Sequence, residues 1–451
     1  MHSAKPILLK YFFQLLVAIG LHTAAIAQEN SPYSRYGLGD LVPNQNILSR
    51  GMGGISAGYA DYQSLNFVNP ASLGNASITM LDVGLEADVH TLKSFNPAKK
   101  YTQTNSLFSY LMVGFPTASK KMLKHKTNWG ISFGLRPVSR IDYKIEKRQR
   151  LSNIDSLYTL YEGSGGLTQA FIGSGFSFNF SKDEKKIKQL NIGFNAGYMF
   201  GRKDFSTKLI FINDTVDYYK SNSATTSNFG GLFFTGGLQY TATVSKDALL
   251  TIGAYGTISQ QLKAKKDVVR ETFQYDGNGG TYRLDSVFAT NNVKGTVDYP
   301  SSFGIGFTYN GKNLLFGADF ESANWANYKY YGQGDAVKNN FTIRAGIQYL
   351  PAKENTPAKK YFSFVKYRAG FFYGNDYIQV NNNRPNYGFT FGTGMPLTSF
   401  NRLRFGEYVV LNTAVEIGGR GNKNTTIKEN IVRFAVGLTM NARWFQKPKY
   451  D

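Results

Sequence analysis

The chain has no cysteine and only four histidines in 451 residues. A disulfide scaffold, a structural zinc ribbon and a thiol enzyme are excluded, because ligand and nucleophile are both missing. His2 and His22 fall in the N-terminal leader, leaving His90 and His125. Charge is also scarce: 18% of residues are charged, against about 25% in an ordinary soluble domain. After Leu21 no stretch reaches the ~18 consecutive apolar residues of a transmembrane helix. No G-x-S-x-G, H-E-x-x-H or P-loop pattern occurs. The expectation is a non-enzyme with no catalytic residue, no metal and no cofactor. Asp276-Gly277-Asn278-Gly279-Gly280 loosely resembles half of a calcium loop but lacks the full spacing and the distal Glu, so a plain glycine-rich turn is expected.

What the chain does have is 47 Gly, 35 Phe and 30 Tyr, a composition that suits strands better than helices. Its 42% apolar content excludes disorder. Residues 1–27 form an export signal: Lys5 in a short basic region, the apolar run Tyr11–Leu21, then Ala25-Ile26-Ala27 as a cleavage site. Export without cysteine suggests a bacterial envelope protein. Lys and Arg total 51 against 30 Asp and Glu. The basic residues are dispersed as Lys120-Lys121, Lys185-Lys186, Lys265-Lys266 and Lys359-Lys360, not gathered in one stripe among stacked aromatics. Contact with anionic lipid is expected, and nucleic acid is not.

Period-two alternation repeats along the chain. Leu81, Val83, Leu85, Ala87 and Val89 alternate with Asp82, Gly84, Glu86 and Asp88; Ile192, Phe194, Ala196, Tyr198 and Phe200 alternate with Gly193, Asn195, Gly197 and Met199. Val432, Phe434, Val436 and Leu438 oppose Arg433 and Gly437 in the final run. Alternating side chains project to opposite faces of a strand. A soluble β-sandwich would give the same pattern, but these runs are often 9–14 residues long, near the 9–11 that cross a bilayer as tilted strands. Aromatics also sit at run ends (Phe200, Tyr309, Tyr349, Trp444-Phe445), as in interfacial girdles. With helices excluded, only a closed barrel satisfies the backbone in lipid. The expected fold is therefore all-β: a transmembrane antiparallel barrel over residues 77–445 with about 14 strands, followed by a tail at 446–451. Asn310–Asn313 and Lys246-Asp247 are expected as periplasmic turns. Residues 147–166, 263–299, 322–339, 375–386 and 418–429 are expected as extracellular loops. Carboxylates are costly on the lipid face, so Asp82, Glu86 and Asp88 are expected in the lumen, paired with Arg344, Arg433 or Arg443.

Residues 28–76 break the pattern with Gly, Ser, Asn and Pro at turn-forming density. A loose periplasmic leader and a plug inside the barrel are both open. Tyr33, Tyr36, Leu38, Met52, Tyr59 and Phe67 supply the packing surface a plug needs.

The order of a signal, a glycine-rich segment with Arg50-Gly51-Met52-Gly53-Gly54, then Asn69-Pro70-Ala71, then a barrel resembles the FadL-type long-chain fatty acid transporter family of the outer membrane, in particular its divergent Bacteroidetes members. The Ser-Pro-Tyr-Ser-Arg-Tyr-Gly-Leu-Gly-Asp opening and the Trp-Phe-Gln-Lys-Pro-Lys-Tyr-Asp ending are similar too. The resemblance implies a 14-stranded barrel with an N-terminal hatch in the lumen, to which Arg50, Gly51, Gly53, Gly54, Asn69, Pro70 and Ala71 would belong. It also implies a hydrophobic small-molecule ligand. Passive uptake would begin at an outer groove, for which Phe273, Tyr275, Tyr328, Tyr330 and Tyr331 are the candidate aromatics. Members of the family also serve as accessory subunits of secretion machinery. A non-transporting scaffold in an outer-membrane secretion or assembly complex, bound to other outer-membrane proteins, is therefore the alternative.

Overall fold

The structure is a computed structural model that describes residues 31–441, apart from 62–63, 96, 153, 184, 214, 277–279, 354–359, 381 and 399–407. The signal, Arg443, Trp444-Phe445 and the tail lie outside the described residues.

Eighteen strands form one sheet. They are β1 (Asp40–Leu41), β2 (Met80–Phe95), β3 (Ala98–Pro116), β4 (Thr127–Arg150), β5 (Ser156–Asn179), β6 (Lys188–Ile212), β7 (Lys220–Ser245), β8 (Ala248–Thr257) and β9 (Gln260–Tyr275). There follow β10 (Thr281–Tyr299), β11 (Ser302–Asn310), β12 (Leu314–Ala323), β13 (Lys329–Tyr330), β14 (Asn340–Tyr349), β15 (Lys366–Asn375), β16 (Pro385–Pro396), β17 (Tyr408–Arg420) and β18 (Ile427–Asn441). The barrel closes where β18 pairs with β2, Arg433 lying opposite Asp88. β8 and β9 are two lengths of a single wall strand, since both pair with β7. β10 and β11 likewise follow one another along β9 and β8. With the two short strands β1 and β13 set aside, the wall is a closed antiparallel barrel of 14 strands.

The alternation has a definite sense. Asp82, Glu86 and Asp88 are buried while Leu85, between them on the other face, is exposed. Phe194, Leu232, Ile305, Phe391 and Phe434 are 52%, 60%, 51%, 55% and 51% exposed around the outside. A surface of large apolar side chains encircling the whole molecule cannot face water. It is the hydrocarbon contact of an outer-membrane barrel.

The turns at 246–247 and 311–313 join their hairpins at one end, periplasmic by their shortness. At the other end two of the expected loops are corrected. Within 147–166, β4 continues to Arg150 and β5 begins at Ser156; 263–299 is mostly β9 and β10. In these extensions above the membrane apolar and polar residues do not alternate strictly, and β9–β10 carries three register shifts, so no clean period marks them. Their neighbours fix them by hydrogen bonding. Residues 322–339 carry only the single turn Trp325–Asn327 and β13 beyond the end of β12, and 376–384 is a connection. Asp276 and Gly280 close the tip of β9–β10, the Gly280 N–H donating to Asp276 Oδ1 at 2.6 Å.

The wall parts in one place. β3 pairs with β4 only from Leu111–Leu135 to Pro116–Gly130. Above that, β3 holds β2 and β4 holds β5, with a register shift between Pro137 and Ser139. Strand β1 takes the vacated edge, Asp40 opposite Arg140 and Leu41 opposite Ser139.

Candidate functional site

Residues 31–76 are almost wholly buried, and their hydrogen bonds reach strands all round the wall, which places them inside the lumen. A short helix, α1 (Ile47–Arg50), starts at Asn46, whose side chain accepts the Ser49 N–H. It delivers Arg50 to the inner face of β2 and β17. Arg50 Nη1 donates to Glu86 Oε2 at 2.5 Å and Nε to Glu416 Oε1 at 2.7 Å. Arg433 Nη1 binds the other Glu416 oxygen at 2.8 Å, and its Nη2 lies 3.6 Å from Asp88. His90 contacts Asp88 at 2.9 Å. Arg50 is 2% exposed. Buried charges persist only when paired, and here the Arg50 and Arg433 guanidiniums meet carboxylates of β2 and β17, the neighbours of β18.

Gly51 ends α1. Gly53 and Gly54 follow with φ of +68° and +87°. A Cβ on Gly53 would lie 2.6 Å from the carbonyl oxygens of Ala345 and Phe371, so close approach to β14 and β15 requires glycine there. The Gly53 N–H donates to Thr390 Oγ1. Asp319 of β12 accepts the Ser56 and Ala57 N–H groups at 2.5 and 2.8 Å. Asn69 caps the 3-10 turn Pro70–Asn75 through the Ala71 N–H, while its amide donates to the carbonyls of Ala57 and Leu238. Pro70 sits on Gly193 of β6, where a Cβ would lie 2.3 Å from the Pro70 carbonyl carbon. Ala71 is fully buried. The Asn-Pro-Ala motif thus rests on backbone left bare by the wall.

Arg344 lies on the same inward face, paired with Glu321 at 2.7 Å. Asp82 accepts the Tyr110 hydroxyl at 3.2 Å. Three residues of the lumen network were not singled out from the sequence. Glu416 stood legibly between Val415 and Ile417 on the polar face of β17. Asp319 was similarly placed between Ala318 and Phe320. Arg140 gave no signal, because its role depends on the parting of β3 from β4. Its guanidinium spans that parting, Nη2 donating to the Phe108 carbonyl of β3 at 2.9 Å and Nη1 to Glu86 at 3.2 Å.

The five candidate aromatics do not assemble an outer groove. Phe273 and Tyr275 lie in β9, not in a loop, and Phe273 is buried. Tyr328 is 1% exposed and donates to the Gly37 carbonyl at 3.0 Å. Burial raises its phenol above the ordinary value, and nearby Asp335 adds to this, so it stays a donor. Tyr330 donates to Ser227 Oγ, and Tyr331 to the Val293 carbonyl. These three tyrosines hold the 324–339 connection against the lumen segment and neighbouring strands.

Between the segment and the wall remains a cavity of about 180 Å³, lined among others by Arg50, Glu321, Arg344, Glu416, Arg420 and Arg433. Pockets for drug-sized apolar ligands run to roughly 300–1,000 Å³ with mostly hydrophobic linings. This one is small and charged.

The fold, with its apolar belt and filled lumen, defines a 14-stranded outer-membrane barrel built like the FadL and TodX channels. The P. putida toluene transporter TodX matches with a TM-score of 0.54 at 12% identity over 90% of this chain and 100% of that one. The Ralstonia pickettii toluene transporter TbuX matches at 0.53 and 13% over 89% and 99%, and a Pseudomonas aeruginosa FadL homologue at 0.53 and 11% over 90% and 99%. At such identities the likeness is one of fold. The family is given by the BamG model, which matches residues 8–451: the chain belongs to the BamG family. The FadL-type resemblance is thus correct for the fold, while the family is BamG. No curated protein matches the chain.

Proposed function

We propose that the protein is a closed barrel serving as a structural subunit of an outer-membrane protein complex, its N-terminal segment acting as a permanent hatch. The observation that carries this is the ion-paired lumen: Arg50 from the segment tied to Glu86 of β2 and Glu416 of β17, the two strands that flank β18. A hydrocarbon crossing the barrel would have to displace the segment that Arg50 anchors, and removing one partner of such a buried pair costs about 3–5 kcal/mol. Binding of an apolar ligand does not offset that in a charged cavity of about 180 Å³. Membership in the BamG family, when the toluene transporters match at only 12–13% identity, agrees with a role other than theirs.

One observation favours the transport reading. The parting between β3 and β4 is a side exit through the wall; Arg140 bridges it to Phe108, and β1 lines its β4 edge. Proteoliposomes decide between the two. With a fluorescent long-chain fatty acid as probe, uptake by the native chain should equal that of empty vesicles, and blue-native electrophoresis of gently extracted membranes should show the chain in a larger assembly. Uptake that depends on the native chain, with migration as a free barrel, would reverse the order of the two readings.

A further inference from the structure

The antiparallel register lines up basic residues across the outside of the barrel. Arg202 of β6 lies opposite Asn228 of β7, Asn228 opposite Lys265 of β9, and Lys265 opposite Lys294 of β10. One outward row closer to the membrane, Phe200 lies opposite Gly230, and Gly230 opposite Lys263. Tyr198 stands one row below, 49% exposed. Together these side chains line a groove of about 1060 Å³ on the outer surface of the wall.

The depth of this row in the membrane follows from geometry. On β6 the outward positions from Leu190 to Phe200 are apolar or aromatic throughout. Ten residues at about 3.4 Å each, tilted about 40°, rise roughly 26 Å. That is the height of a barrel's apolar band, about 25 Å. Tyr198 and Phe200 then form the girdle at its outer edge, and the basic row stands directly above, level with the headgroups of the outer leaflet. Beyond it, Asp204, Ser206 and Lys208 continue outward in polar surroundings.

The row is electrostatically incomplete. Lys265 and Lys294 are directly opposite each other, an arrangement of like charges that destabilises a strand pair. No carboxylate pairs with Lys263, Lys265 or Lys294 among the described residues. The nearest acids on this face are engaged: Asp204 with Arg202, and Asp267 with the Asn292 N–H at 2.7 Å. An anion between the lysines would relieve their repulsion, and the aromatic floor below supplies an apolar surface for whatever the anion is attached to.

We propose that this groove is a binding site for a phosphorylated outer-leaflet lipid, its phosphate held by Lys263, Lys265 and Lys294, and the start of its acyl chains lying on Tyr198 and Phe200. A lipid is favoured over an acidic protein because the basic row and the hydrocarbon-facing belt are continuous, with no polar strip between them.

Native mass spectrometry of the full chain in non-ionic detergent tests this, with monophosphoryl lipid A as probe and phosphatidylcholine as the uncharged-net control. The native chain should retain lipid A in preference to phosphatidylcholine. The variant K263Q/K265Q/K294Q should lose that retention on the order of 100-fold, at about fivefold per lysine near a charged surface. These lysines are outside the lumen and paired with no carboxylate among the described residues, so the variant should fold, as its heat-modifiable mobility on gels will report. The periplasmic-side variant K120Q/K121Q/K124Q should bind lipid A as the native chain does. Equal loss in both variants, or equal retention of the two lipids, would overturn the proposal. So would displacement of lipid A by an equimolar amount of inorganic phosphate, which would make the site one for the free anion. Protection of the three lysines from acetylation in native membranes that persists after delipidation would also overturn it, in favour of a protein partner.

Discussion

Arg50 is held by two carboxylates that other arginines share. Its replacement by alanine leaves Glu86 with Arg140 and Glu416 with Arg433, so the loss should fall near the lower end of the range for breaking a buried pair, about 3 kcal/mol. The expected outcome for Arg50→Ala is a lowered unfolding temperature, followed by the gel mobility of the heated barrel, and a further loss in the triple variant R50A/E86Q/E416Q, where Arg140 and Arg433 lose these carboxylates as well. Gly53→Ala should be nearly as damaging by a different cause: φ of +68° and carbonyl oxygens 2.6 Å from the new Cβ leave it no room. Recovery of native stability in Gly53→Ala would show that the segment can lift off β14 and β15 without cost.

At the scale of elements, the parting of β3 from β4 leaves a row of backbone groups on each edge without a wall partner. β1 covers only the two positions Asp40–Arg140 and Leu41–Ser139, with the Val42 N–H adding a bond to the Val138 carbonyl. Amides of β3 between Ala98 and Tyr110 that face β4 should therefore exchange with deuterium much faster than those of β5 and β6, whose pairing is continuous from Ser156–Ile212 to Asn179–Gln189. Uniform protection across β3 through β6 would mean that the edges are covered in the membrane. Arg140→Ala should accelerate exchange at Phe108 and its neighbours on β3, since the guanidinium bonds that strand's carbonyl.

At the scale of the whole molecule, the outward belt sets the solution behaviour. Half-exposed Phe, Leu and Ile on every side far exceed the few hundred Å² of apolar patch that a soluble monomer carries. The protein should remain monodisperse only with a surfactant and aggregate when it is removed, as light scattering would show. A stable monomer in plain buffer would contradict the placement of the belt.

Periodicity alone determined that one face of each strand is greasy and the other polar, and length, the absence of long apolar runs and even strand number then led to a barrel of about 14 strands. Asp82, Glu86, Asp88 and Arg433 could be assigned to one face from sequence because strand geometry is local: a side chain's direction follows from its neighbours' parity. The strand extensions in β9 and β10 could not be read, since the register shifts between them break the alternation. Nor could the partners of Arg50, which lie 36 and 366 residues away and meet only once the sheet has closed. The bridge by Arg140 and the alignment of Lys265 with Lys294 were likewise settled by register between strands, a property of paired backbones that no single strand encodes.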